Sequence, residues 1–112
     1  MTIETTTIDD TCIVAIPERL DGSNAPVIET ELRQILAGTR PKNIIFDFSE
    51  TNYLASAGMR VVLQLSRDPM KAGGRVILVG LRPTVHKVLA MAGFTSIFTI
   101  CTSREEALQK MK

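Results

Sequence analysis

Residues 43–67 read Asn43-Ile-Ile-Phe-Asp-Phe-Ser-Glu-Thr-Asn-Tyr-Leu-Ala-Ser-Ala-Gly-Met-Arg-Val-Val-Leu-Gln-Leu-Ser-Arg67. An apolar run, Ile44 to Phe48, has the length and character of a strand buried on both faces, with Asp47 near its carboxyl end. A polar loop, Ser49–Leu54, follows. From Ala57 to about Ser66 the apolar residues Met59, Val62 and Leu63 recur at helical spacing, widened by Val61 and Leu65. Ser56 therefore lies where the loop becomes a helix, between Ala55 and Ala57 and next to Gly58. Such a hydroxyl has two readings. It caps the helix, as serine commonly does. Alternatively it presents a phosphate acceptor at a helix start, where free N–H groups and partial positive charge favour an anion.

Working outward, Arg75 to Gly80 is a second buried apolar strand, and Pro69 with Gly73-Gly74 is expected to end the helix before it. Upstream, Val27, Ile28, Leu32, Ile35 and Leu36 form a helical stripe. Ser23 or Asn24 is its expected cap, Pro26 lies in its first turn, and Gly38 and Pro41 close it. Residues 2–8 and 11–17 flank Asp9-Asp10 and read as a hairpin that Pro17 ends. Beyond Gly80, Pro83 opens a helix with Val85, Val88, Leu89 and Ala92 on one face, and Gly93 closes it. A short strand is expected within 97–100. Ser103-Arg-Glu-Glu106 is a capping-box pattern that starts a terminal helix. The order is β-β-α-β-α-β-α-β-α: an α/β chain with a mostly parallel sheet, an antiparallel edge strand and about four helices. No linker or repeat divides residues 1–112, so one domain is expected.

Composition narrows the function. The chain has 112 residues and a net charge of +1, which gives no broad attraction to nucleic acid or an acidic membrane surface. Met1-Thr-Ile-Glu-Thr-Thr lacks a basic start and an apolar run, so no secretory leader is expected. No stretch approaches the roughly 18–20 apolar residues of a membrane span. Cys12 and Cys101 are expected to be reduced and packed, which fits a cytoplasmic protein. One histidine, His86, and two distant cysteines supply no metal site, and His86 reads as a surface residue rather than a base for Ser56. There is no phosphate-binding glycine loop. No catalytic residue, cofactor or metal is expected, and a serine enzyme acting through Ser56 is the least favoured reading.

Phe46-Asp-Phe-Ser-Glu-Thr-Asn-Tyr-Leu-Ala-Ser-Ala-Gly-Met-Arg60 resembles the signature segment of STAS domains, particularly the small bacterial anti-sigma factor antagonists. In that family the segment ends in Asp-Ser-(Ser/Thr)-Gly-Leu or in Ser-Ala-Gly-Leu-Arg. Arg19-Leu-Asp-Gly-Ser-Asn-Ala-Pro26 is similar to the family's loop before the first helix, and the element order matches over essentially the whole chain. The resemblance implies that Ser56 is phosphorylated by a partner that is both anti-sigma factor and serine kinase of the GHKL type. A phosphatase reverses the modification. The unphosphorylated form binds the kinase and releases a sigma factor; phosphorylation weakens that binding. Asp21, Gly22, Ser23 and Asn24 in the first loop, with Ala55, Ala57, Gly58, Met59 and Arg60 around Ser56, are the partner-binding residues it implies. Asp21 by itself is equally a turn or capping carboxylate, and Arg60, four residues after Ser56, is either a phosphate or partner contact or a solvated arginine. Ala55 replaces the family's frequent acidic residue and Ala57 its second hydroxyl, which leaves Ser56 as the one acceptor in the motif. A monomer or weak dimer is expected, without direct nucleic acid or membrane contact. The alternative client is a transporter or another signalling assembly that uses the domain as a regulatory subunit.

Overall fold

A computed structural model of the chain describes residues 3–112. The sheet is built on alternation. In β4, Asn43–Asp47, every residue is buried. Ile44 and Phe46 enter one apolar cluster while Ile45 enters another on the opposite face. The same split holds in β2, Thr11–Ala15, where Cys12 and Val14 oppose Ile13. In β6, Val76–Val79, Val76 and Leu78 oppose Ile77 and Val79. This two-residue period is what a strand covered on both faces requires, because successive side chains point to opposite sides.

With β1, Thr5–Ile8, and β7, Thr99–Cys101, these strands form one sheet in the order β1-β2-β4-β6-β7. β1 runs antiparallel to β2, and every other pairing is parallel. The α/β architecture, the edge hairpin and the mostly parallel sheet follow the expectation from sequence. The first expected strand began at residue 2, which lies outside the described residues.

Helices cover both faces. The larger cluster packs α1, Ala25–Thr39, and α2, Ser56–Lys71, onto the sheet together with α3, Pro83–Met91, and the single turn α4, Phe94–Ile97. The smaller cluster sits under α5, Arg104–Lys110, through Ala107, Leu108 and Met111.

Several boundaries depart from the reading of the sequence. The helix expected to stop at Gly38 continues to Thr39. It is closed by Arg40 in the left-handed region at φ 46°, whose N–H donates to the Leu36 carbonyl. Val27 lies off the buried stripe and is exposed, since Ala25, Ile28 and Leu32 already face the sheet. Pro69 does not end α2: the helix runs to Lys71, because a proline near a carboxyl end disturbs only the preceding turn. Gly73, at φ 86°, makes the turn that follows. The expected strand over 97–100 begins at Thr99, because Phe94–Ile97 forms α4, giving five helices among the described residues. Phe94 and Phe98, with ring centroids 5.4 Å apart, are both buried and hold that turn against the core.

Two further strands, of two residues each, were hidden in loops: β3, Arg19–Leu20, and β5, Tyr53–Leu54. They pair in parallel as a separate small sheet, with Arg19 opposite Tyr53 and Leu20 opposite Leu54. This pairing brings the site together.

Candidate functional site

The loop after β4 is fastened before it reaches Ser56. Thr51 is fully buried, and its hydroxyl donates to the carbonyls of Ile16 and Pro17 at 3.2 and 3.0 Å. The Asn52 N–H donates to the Glu18 carbonyl at 2.8 Å. Arg82, at the start of α3, donates to the Ser49 carbonyl at 3.0 Å and also to the Asn52 side chain. The partners that hold the loop, Ile16, Pro17, Glu18 and Arg82, all lie far from Ser56 in sequence. These bonds hold a loop that would otherwise add conformational freedom at the site.

β5 then lies beside β3, and the Ala55 N–H donates to the Leu20 carbonyl at 3.0 Å. Directly beneath is Gly58, which is buried. A methyl group there would come within 2.6 Å of the Leu20 Cγ, 2.7 Å of its carbonyl oxygen and 2.9 Å of the Leu54 Cδ1. Only a glycine allows the helix start to sit this close to the first loop. Gly58 thus contributes position to the site and no surface of its own.

Ala55 is the N-cap of α2, with extended dihedrals of −109° and 174°. Its carbonyl accepts from Gly58 N at 2.9 Å and Met59 N at 3.0 Å. Ser56 is the first residue inside the helix, so the capping reading of its hydroxyl is replaced: α2 has no side-chain cap, and Ser56 is exposed. The first turn carries no acidic side chain. Among the described residues, the N–H groups of Ser56 and Ala57 have no backbone acceptor. An exposed hydroxyl, free N–H groups and the positive end of a 16-residue helix coincide here. Arg60 is exposed one turn further on, and Met59 is half-buried and packs on the core.

The first loop is ordered by its own carboxylate. Asp21 Oδ1 accepts from Ser23 N at 2.9 Å and from the Ser23 hydroxyl at 2.5 Å. Asp21 Oδ2 faces Arg19 Nε at 3.0 Å. The two Ser23 hydrogen bonds, then the Arg19 charge, hold the Asp21 carboxyl below the usual carboxylate range despite some desolvation. It is therefore charged near neutral pH. Asn24 is the N-cap of α1, but its side chain turns back to the loop instead of capping. Its Oδ1 accepts from Asp21 N at 3.0 Å, and its Nδ2 donates to the Arg19 carbonyl at 2.7 Å. Arg19 also lies 5.5 Å above the ring of Tyr53, a cation–π contact that ties one loop to the other. Gly22 and Ser23 are exposed at the tip.

Asp21–Asn24 and Ala55–Arg60 therefore meet along the β3–β5 seam. Sequence reading missed Arg19, Tyr53, Thr51 and Arg82, whose roles depend on partners distant in the chain. Asp47 is likewise explained only by the fold. Burial pushes its carboxyl up, but Arg104 Nε at 2.6 Å and Ser49 N at 2.9 Å outweigh this, and it titrates below the usual range. It is a structural carboxylate that ties the end of β4 to the start of α5.

Other groups lie apart. His86 is exposed on α3. Cys12 and Cys101 are buried free thiols whose titration burial pushes up. They occupy β2 and β7 with two strands between them, about 14 Å at ordinary strand spacing, too far for a bridge. Among the described residues no cluster of three metal-ligating side chains occurs, and no helix is long and apolar enough to cross a membrane.

The fold also occurs in known proteins. The STAS domain family model matches residues 2–107, nearly the whole chain, and the protein belongs to that family. BtrV of Bordetella bronchiseptica, named as an anti-sigma factor antagonist, is 34% identical over 106 residues, covering 94% of this chain and 90% of BtrV. Among solved structures, a protein of Thermotoga maritima named as an anti-sigma factor antagonist superposes with a TM-score of 0.89 at 20% identity. That match covers 97% of this chain and 93% of the other. The anti-sigma factor antagonist SpoIIAA in its unphosphorylated form superposes at 0.81 and 23% identity, covering 97% and 95% of the two chains. In its phosphorylated form it superposes at 0.74 and 21% identity, covering 99% and 100%.

Proposed function

We propose that this protein is an anti-sigma factor antagonist that works by phosphorylation-controlled partner switching, with Ser56 as the acceptor. The observation that carries the reading is the state of the Ser56 hydroxyl: exposed, at the first position of α2, and not used as a cap. Unphosphorylated, the protein binds an anti-sigma factor that is also a serine kinase of the GHKL type. The contact surface is the seam formed by Asp21, Gly22, Ser23 and Asn24 with Ala55, Ala57, Met59 and Arg60. Gly58 acts from beneath by setting the closeness of the two loops. Occupying the kinase frees the sigma factor. Both partners meet in the cytoplasm.

The Ser56 oxygen then attacks the γ-phosphorus of the kinase-bound ATP. A P–O bond forms to serine, the bond to the β-phosphate oxygen breaks, and ADP leaves as the serine proton passes to a base on the kinase. The product carries a charge of about −1.5 to −2. That charge has two consequences. It is stabilised at home by the free N–H groups and positive end of α2, so the fold need not change. It also lies on the face that the kinase must cover, where its desolvation and any facing carboxylate of the kinase disfavour docking. A phosphatase restores the hydroxyl.

The charge switch is tested by measuring affinity for the kinase. Ser56→Asp is expected to bind at least about tenfold more weakly than the unmodified protein, a difference of about 1.4 kcal/mol. Equal affinity would overturn the switch.

A further inference from the structure

The solvent side of α2 carries a row of cations that begins at Ser56. At 3.6 residues per turn, Ser56, Arg60, Arg67 and Lys71 fall within about 60° of arc. All four are exposed. Gly58, Val62 and Leu65, which are buried, lie on the opposite side of the helix. The row is straight and about 22 Å long, from the first residue of α2 to the last.

Nothing nearby matches these charges. Among the described residues, Arg60, Arg67 and Lys71 form no ion pair. Asp68, the one acidic residue of α2, lies off the row and lines the groove toward α1 with Arg33 and Arg40. On α1, Glu29 is already paired with Arg33 at 2.7 Å, and Glu31 accepts from the Ile3 N–H, beside the edge strand of the sheet. Neither α3 nor α4 carries an acidic residue. The amino end of α2 adds about half a positive charge and its carboxyl end about half a negative one, so the two offset each other along the row. Counting Asp68 in full still leaves a surplus of about two positive charges. The whole chain has a net charge of +1, so this surplus is local.

A row of unmatched cations is complementary to carboxylates. Such complementarity raises the rate of encounter and fixes the orientation of the partner. The row starts at the acceptor hydroxyl, so whatever delivers phosphate to Ser56 must cover its first members. A surplus of about two is small for nucleic acid, whose binding rests on several phosphate contacts at once.

We propose that Arg60, Arg67 and Lys71 form a docking track for an acidic face of the kinase, which steers that partner onto Ser56 and sets its direction along α2. This rests on the reading of Ser56 as the acceptor of a kinase. It extends the contact surface past the seam to the far end of the helix. It also gives the switch a second cause. A phosphate on Ser56 stands at the head of the row, one turn before Arg60, and its charge of about −1.5 to −2 cancels most of the surplus. The modified protein keeps its fold and loses the attraction that brought the kinase.

The test follows association of the whole protein with the purified kinase that phosphorylates it, without ATP, by stopped flow at about 0.05 and 0.5 M salt. At low salt, Arg67→Gln combined with Lys71→Gln is expected to slow association by about three- to tenfold, and high salt should remove the difference. Arg67→Lys combined with Lys71→Arg keeps both charges and should associate at the wild-type rate. Wild type phosphorylated on Ser56 should be slowed at least as much as the glutamine variant. Phosphate transfer to Ser56 at saturating kinase should be the same in all unmodified forms, and unchanged thermal midpoints would show that each is folded. Wild-type association by the glutamine variant, or equal slowing of the charge-keeping variant, would overturn the track while leaving Ser56 as the acceptor. Tighter binding of the row to a short DNA duplex than to the kinase would assign it to nucleic acid and overturn the track as well. Absence of transfer to Ser56 by a kinase that binds would overturn both readings.

Discussion

Two helices in this protein begin with a serine, and they use it in opposite ways. At α5, Ser103 is the N-cap, and its hydroxyl accepts from Glu106 N at 3.1 Å. Glu106 reaches back to the Thr102 N–H at 2.7 Å and its hydroxyl at 3.0 Å, so the turn closes on itself. At α2 the serine has moved one residue inward. Ala55 is the cap, and Ser56 faces solvent. The same side chain is structural in one place and presented in the other because of a single step along the chain. The residue at the first helical position shows the contrast from the other side: in α5 it is Arg104, which reaches inward to Asp47, whereas in α2 it is Ser56, which reaches nothing.

A helix start without its own cap must be supported from elsewhere, and α2 is supported from below and beside. Gly58 admits Leu20, β5 pairs with β3, and Thr51, Asn52 and Arg82 fix the incoming loop. Stability and exposure are thus separated: distant residues hold the backbone, and the hydroxyl stays available.

The contrast can be sharpened by removing the inward anchor of α5. Arg104→Gln leaves Asp47, whose side chain is 8% exposed, without its cation. The expected loss is about 2 kcal/mol, below the range for a fully buried pair because Arg104 is 35% exposed and Ser49 N still donates to the carboxylate. Chemical denaturation measures it. The same pair sets a pH dependence. The folded-state titration of Asp47 is depressed, so its contribution is present above the unfolded value of about 3.9 and is lost as pH falls through the folded value. Asp47→Asn, already lacking that contribution, should lose less stability than wild type as pH is lowered from about 5 to below 3.

Next in size is the support under α2. Gly58→Ala gains helix propensity of about 1 kcal/mol. It also drives a methyl group into a backbone carbonyl that has little freedom to move, an overpacking cost of about 1–3 kcal/mol. A net loss of up to about 2 kcal/mol is expected. Weaker kinase binding should accompany it, measured on folded protein, because the seam opens.

The smallest effects break the comparison most cleanly. Ser103→Ala should cost about 1 kcal/mol, the ordinary value of a lost cap. Ser56→Ala should change stability by less than about 0.5 kcal/mol, as for a surface position without partners. Equal losses at the two serines would mean that Ser56 is a cap after all.

The sequence displayed these two serines unequally. Ser103-Arg-Glu-Glu106 is a complete local pattern, because both partners of the cap lie within four residues. The buried strands were equally plain: Ile44-Ile-Phe and Val76-Ile-Leu-Val are too apolar to be exposed. What stayed hidden was not local. A two-residue strand such as Tyr53–Leu54 has no period to detect, and its partner lies 34 positions earlier. Asp47 and Arg104 are 57 residues apart. Arg40 took the left-handed helix end although the nearby Gly38 was the better conformational candidate. The motif around Ser56 located the site in the chain, but the offset that frees its hydroxyl, and the seam that sets Leu20 of the first loop against the start of α2, exist only in the fold.

The central claim is that Ser56 is a presented acceptor. The direct measurement is phosphate transfer from labelled ATP by an anti-sigma kinase that binds this protein, followed by phosphopeptide mapping of wild type, Ser56→Ala and Ser103→Ala. One labelled peptide containing Ser56 is expected in wild type and Ser103→Ala, and none in a fully folded Ser56→Ala. Undiminished labelling of Ser56→Ala, or label at another hydroxyl in the wild type, would contradict the account.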